Sequence, residues 1–175
     1  MKHRAFTLVE IVIVIMIVAI ISVALALSFT ESKKHAEFKQ VKADVTNIIQ
    51  QARSLSLANI LIDGSGSNQF ETDYYLLDFQ VDSLTLTAYG TDSHDHPIDS
   101  EIDSLEFTSS TGIELDAAVD VYYVPPYGEV CFSYASGCDY DADTDTSKEL
   151  NLTRDGSDQS ASITISIYSG YPEID

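Results

Sequence analysis

A chain of 175 residues has room for one membrane-spanning helix and one domain of ordinary size. Its formal net charge is −19, from 28 Asp and Glu against 9 Lys and Arg, and beyond Arg53 only Lys148 and Arg154 are basic. Nucleic-acid binding draws its affinity from Lys and Arg contacts to phosphate, so no nucleic-acid partner is expected, and the excess charge is read as solubility in an exposed setting.

The chain opens on Met1-Lys2-His3-Arg4-Ala5, a short basic leader. From Phe6-Thr7-Leu8-Val9-Glu10 an apolar run continues to Phe29, with Glu10 its one ionisable side chain. About twenty-four residues at 1.5 Å each make ~36 Å of helix, enough to cross a ~30 Å hydrocarbon layer. A carboxylate so placed costs roughly 2.5 to 3.5 kcal/mol on insertion scales and calls for a partner. Two plainer readings compete. A cleavable secretory signal has an apolar core of ~7 to 15 residues, shorter than this one, although Ala24 and Ala26 mimic its cut site. An ordinary anchor gives no reason for Glu10.

At these residues the sequence resembles the class III signal of type IV prepilins and pseudopilins. The resemblance implies that a prepilin peptidase cuts between Ala5 and Phe6 and methylates the amino group of Phe6. It also implies that Glu10, fifth in the mature chain, meets the methylated terminus of a neighbouring subunit. The family usually has Gly before the cut, where this chain has Ala5, also a small residue. Orientation is ambiguous from charge alone, since Lys33 and Lys34 beyond the run offset Lys2 and Arg4 before it. The resemblance resolves it as a single-pass protein, amino terminus inside and domain outside, that passes from the membrane into an extracytoplasmic filament. Its implied partners are the peptidase, an inner-membrane assembly platform and other pilin or pseudopilin subunits in a helical polymer.

Beyond Phe29 the apolar pattern becomes one-sided. Phe38, Val41, Val45, Ile48, Ile49, Ala52, Leu55 and Ile62 recur at three- and four-residue steps, and neither Gly nor Pro interrupts before Asp63-Gly64-Ser65-Gly66-Ser67. The expectation is one helix of about 57 residues, ~85 Å long, half in lipid and half amphipathic. Many major pilins have a Pro near the twenty-second mature position, where this chain has Leu27. Strands are expected at 74–79, 84–89, 102–107, 113–115, 119–124, 130–134, 149–153 and 161–168, between clusters of Gly, Pro, Asp and Ser. Ala161, Ile163, Ile165 and Ile167 alternate with Ser162, Thr164 and Ser166, and Asp155-Gly156 is a hairpin signal. The fold class is α+β: a long N-terminal helix whose second half packs on an antiparallel sheet. The divisions are a leader at 1–5, a membrane and assembly half-helix at 6–29, an amphipathic half at 30–63 and a globular domain at 68–175.

The element order resembles H-type pseudopilins and FimT-like minor pilins, on Gln51-Ala52-Arg53-Ser54, Tyr74-Tyr75-Leu76-Leu77-Asp78-Phe79, Pro126-Tyr127-Gly128 and Ile163-Thr164-Ile165 before Gly170. That resemblance favours a minor over a major subunit and leaves motility, adhesion, DNA uptake and secretion open.

Cys131 and Cys138 would sit in a compartment that permits disulfides, and their spacing allows a small closed loop; two buried thiols are the alternative. Asp139, Asp141, Asp143 and Asp145, with Glu149 following, form an alternating acidic run that suits Ca2+ but lacks the EF-hand pattern. A solvated loop is the plainer reading, and the filament role requires no cofactor. His94-Asp95-His96 with Asp92 offers metal-ligand types, yet in one short stretch with turn chemistry at Ser93 and Pro97. Asn151-Leu152-Thr153 fits a glycosylation sequon, a match common by chance. Tyr122, Tyr123, Tyr127, Tyr134 and Tyr140 are candidates for a contact surface, or for sheet packing. No nucleophile, metalloprotease or phosphate-loop motif is present, which argues against an enzyme. The rival reading is an anchored extracytoplasmic calcium-dependent binding domain that never polymerises.

Overall fold

The computed structural model of the chain describes residues 8–58, 61–63, 69–91, 96–107, 112–134, 138 and 146–174. Helix α1 spans Leu8–Ala58. The chain divides into two compact units, Met1–Glu37 and Phe38–Asp175.

The first unit contains the apolar part of α1. Its large side chains, from Leu8 through Leu25, are exposed all round the helix. An α-helix satisfies its own backbone groups, so such a segment is stable where water is absent.

The second unit is α+β, with the last turns of α1 and two antiparallel sheets around one core. A six-stranded sheet takes the order β4-β3-β2-β6-β7, with the two-residue β1 (Ile62–Asp63) also paired to β2. Its strands are β2 (Gln69–Phe79), β3 (Ser83–Thr91), β4 (Pro97–Glu106), β6 (Val119–Val124) and β7 (Glu129–Cys131). The second sheet runs β10-β9-β8-β5, built from β5 (Ile113–Leu115), β8 (Ser147–Arg154), β9 (Ser160–Ser166) and β10 (Pro172–Ile174).

The helix contributes Phe38, Val45, Ile48, Ile49 and Ala52 to the buried cluster, with Val41 and Leu55 against it. These are the three- and four-residue steps expected of an amphipathic face. The sheets answer with a period of two: Tyr75, Leu77 and Phe79 on β2, Leu84, Leu86 and Ala88 on β3, and Ile163 and Ile165 on β9 are buried, and the residues between them are not. The β8–β9 hairpin is present, in register from Ser147↔Ser166 to Thr153↔Ser160. Its turn places Gly156 at φ 68°, the left-handed conformation that the Asp-Gly signal anticipates.

Two expectations are corrected. The helix ends at Ala58 rather than Asp63. Its buried face ends at Ser56, since Leu57 and Leu61 are exposed, and Ile62 reaches the core instead from β1, paired to Phe70. Ile62 matched the helical spacing by coincidence. The sheet ends also differ: β7 stops at Cys131 rather than Tyr134 and β9 at Ser166 rather than Tyr168, where a turn returns the chain to form β10.

Candidate functional site

The N-terminal half of α1 is built mostly from Ile, Val, Leu and Ala, with a stretch of mean hydropathy 3.2 that is exposed among the described residues. Its polar side chains are handled locally. Ser22 Oγ donates to the Val18 carbonyl at 2.7 Å, a bond that lets a hydroxyl sit in an apolar helix. Glu10 lies in the first turn, where the positive end of the helix dipole favours a carboxylate. Ala5 and Phe6, the expected cleavage pair, lie outside the described residues.

The family described as the prokaryotic N-terminal methylation motif matches residues 1–26. That match covers the basic leader, Phe6, Glu10 and most of the apolar run. The chain carries the N-terminal signal of a type IV pilin-like prepilin. A prepilin-like N-terminus and one long apolar helix fit a single-pass membrane protein, and the pilin motif points to a structural rather than an enzymatic role. No curated protein and no solved structure matches the chain.

In the globular unit, Cys131 and Cys138 are joined by a disulfide with their Cα atoms 5.6 Å apart. Cys131 is fully buried at the end of β7, and Cys138 makes an antiparallel bridge to Tyr134, so the crosslink pins a short loop back on itself. Asp139, Asp141, Asp143 and Asp145 lie outside the described residues. Glu149, grouped with them in sequence, is on β8, where it accepts a hydrogen bond from Ser162 Oγ at 2.8 Å. Among the described residues no group of three His, Cys, Asp or Glu is placed to hold a metal. Asp92, His94 and Asp95 are also outside the described residues. Asn151 of the sequon is engaged: its Nδ2 donates to Asp116 Oδ2 and its backbone N–H to Asp116 Oδ1, both at 2.9 Å. Burial opposes ionisation of Asp116, and these two donors outweigh it, holding the carboxyl below its ordinary range.

The tyrosines separate by strand parity. Tyr123 points into the core, where its hydroxyl donates to the Gly170 carbonyl at 3.1 Å and burial pushes the phenol up, partly opposed by Arg53. The Arg53 guanidinium stacks over Tyr171, 3.6 Å from the ring centre. Tyr122 and Tyr134 lie on the opposite face of the six-stranded sheet and join Tyr74 and Tyr89 in one aromatic cluster, all four half-buried. Tyr74 is central, with ring centres 4.3 Å from Tyr134, 5.0 Å from Tyr89 and 5.5 Å from Tyr122. Tyr127 is exposed and isolated from this group, and Tyr140 is outside the described residues. Sequence reasoning missed Tyr74 and Tyr89. The signal was in the alternation Ser83, Thr85, Thr87, Tyr89, which puts Tyr89 on the polar face of β3 across from Tyr74.

Proposed function

We propose that this chain is a structural subunit, a minor pilin or pseudopilin, of a type IV pilus or type II secretion pseudopilus. The observation that carries the reading is the methylation motif running directly into a helix exposed and apolar on every side, with Glu10 in its first turn. Cleavage between Ala5 and Phe6 would create a new amino terminus. In the membrane Glu10 has a cost, roughly 2.5 to 3.5 kcal/mol for an acid at the centre of a spanning helix and less near its end, and pairing with the methylated Phe6 of a neighbour would offset it inside a filament. Head-to-tail contacts of this kind repeat without closing and generate an open helix. The assembly platform and peptidase are the partners this route requires, the domain stands outside, and the helix crosses the inner membrane until extraction.

The rival, an anchored domain that binds calcium through the run from Asp139 and does not polymerise, keeps its leader. Mass spectrometry of the N-terminal peptide separates the two: the filament reading requires N-methylated Phe6, and Met1 on the stable protein overturns it. Glu10→Leu should leave the chain in the membrane and abolish or sharply reduce its recovery in sheared filaments. Normal filament content in that variant would sink the pairing mechanism. A minor subunit should also be scarce in those filaments relative to the principal one.

A further inference from the structure

The outer face of the six-stranded sheet combines half-buried aromatic rings with negative charge. Tyr74, Tyr89 and Asp99 form a cross-strand row over β2, β3 and β4, with Tyr74 opposite Tyr89 and Tyr89 opposite Asp99. Two rows away, beyond Leu76, Asp78 on β2 stands directly opposite Asp120 on β6, a like-charge pair that neighbouring strands normally avoid. The sequence supplies no Lys or Arg between Arg53 and Lys148, so strands β2 to β7 carry none to neutralise this face. Burial raises the Tyr89 phenol, and Asp99, Asp78 and Asp120 add to the shift, which registers the negative potential around the ring. At the β3–β4 end the surface opens into a hollow of about 300 Å³ lined by Asp73, Tyr74, Tyr89, Pro97, Ile98 and Asp99. Such a volume is at the small end of ligand sites and fits one extended side chain.

We propose that this hollow and the tyrosine face beside it receive an arginine side chain from a basic segment of a second protein. A guanidinium is planar and weakly hydrated, so it stacks on a tyrosine ring while its N–H groups reach a flanking carboxylate. Tyr89, backed by Tyr74, provides the ring, and Asp73 and Asp99 the acceptors at the edges of the hollow. Asp78 and Asp120 extend the negative potential towards Tyr122 and attract further basic residues of the same segment. The disulfide loop holds Tyr134 against Tyr74 and stiffens the platform, which lowers the ordering cost of binding. This inference does not depend on filament assembly.

The test is calorimetric titration of the full chain in detergent micelles with a capped tri-arginine peptide, with tri-lysine and the neutral isostere tri-citrulline as comparisons. Tri-arginine should bind at least ~3-fold tighter than tri-lysine, and tri-citrulline should not bind, because stacking and charge are both required. Asp99→Asn and Tyr89→Leu should each weaken tri-arginine about tenfold, and Tyr89→Phe, which keeps the ring and the fold, should bind nearly as the parent does. Asp155→Asn, in the β8–β9 turn, and Glu114→Gln, on β5, should change little. Equal losses from Asp99→Asn and Asp155→Asn would reduce the effect to diffuse attraction by a −19 chain and overturn the site. Lysine binding as tightly as arginine, binding of tri-citrulline, or no binding of tri-arginine would overturn it as well.

Discussion

The same helix solves the burial problem in two ways. From Phe38 to Ala58 it is amphipathic, and Val45, Ile49 and Ala52 are completely enclosed by the sheets of the globular unit. From Leu8 to Leu25 it is apolar on every side apart from Glu10, and its large side chains are exposed among the described residues. The first arrangement is complete in one molecule. The second needs lipid or other copies of such a helix, because water would charge about 25 cal/mol for each Å² of apolar surface left exposed. One continuous secondary structure therefore carries a folding function at one end and an assembly function at the other, and the hydrophobic period is what distinguishes them.

The sharpest way to break this comparison is to make one chemical change in each half. Ile49→Asp places a charge in a fully buried site without a partner and should abolish the cooperative melting of the domain, a loss of more than about 4 kcal/mol. Ile17→Asp should leave that melting temperature within about 1 °C of the parent in detergent, since Ile17 touches no part of the core, while costing roughly 3 kcal/mol of membrane insertion. Circular dichroism of both variants decides the matter. A lowered domain melting temperature in Ile17→Asp would mean the two halves share stability.

Within the domain the disulfide comes next in expected size. Closing so short a loop, between residues seven apart, restricts the unfolded chain by an amount worth about 2.5 kcal/mol in the loop-entropy picture. Cys131→Ser with Cys138→Ser should lower the urea midpoint accordingly, and reductant should have no further effect on the double variant. Gly90→Ala follows, at about 1 to 3 kcal/mol. A Cβ at Gly90 would stand 2.5 Å from the buried Phe70 ring and collide with the Glu71 carbonyl, next to the irregularity in β2 between Thr72 and Tyr74. A neutral result would mean that β2 shifts freely there, which a filled core forbids.

Much of this architecture was legible in the sequence, for one physical reason. Where one face is buried and the other wet, composition must alternate with the period of the element, and Ala161-Ser162-Ile163-Thr164-Ile165 states its strand outright. The apolar face of α1 was readable from Phe38 to Leu55 on the same ground. Strands β1 and β10 were not legible, because two or three residues have no period, and β10 forms only since the turn after Ser166 returns Pro172 to lie opposite Ile165. Glu10 announced itself as a lone acid in an apolar run. The tyrosine cluster did not, because its members come from β2, β3, β6 and the disulfide loop, and only the register brings them together.

The smallest effect concerns the two faces of that sheet. The inner face is closed by apolar contacts, whereas on the outer face Asp120 is partly desolvated and stands opposite Asp78; burial first, and then that neighbour, raise its carboxyl above the ordinary range. A group whose pKa is higher in the folded than in the unfolded state binds more protons when folded, so its ionised form opposes folding. The penalty is absent below the unfolded value, grows as pH rises through the window up to the folded one, and is complete at neutral pH. Asp120→Asn should therefore melt about 1 °C above the parent at pH 7, and the gap should close as the pH is lowered through that window. Comparing variant with parent at each pH cancels the carboxylates that do not interact with Asp120, including Asp116, whose shift runs the opposite way, and leaves relief of Asp78 as part of the same effect. If Asp120→Asn melts lower than the parent at neutral pH, the carboxylate is making a favourable contact, and the outer face is not under the electrostatic strain that a cationic partner would relieve.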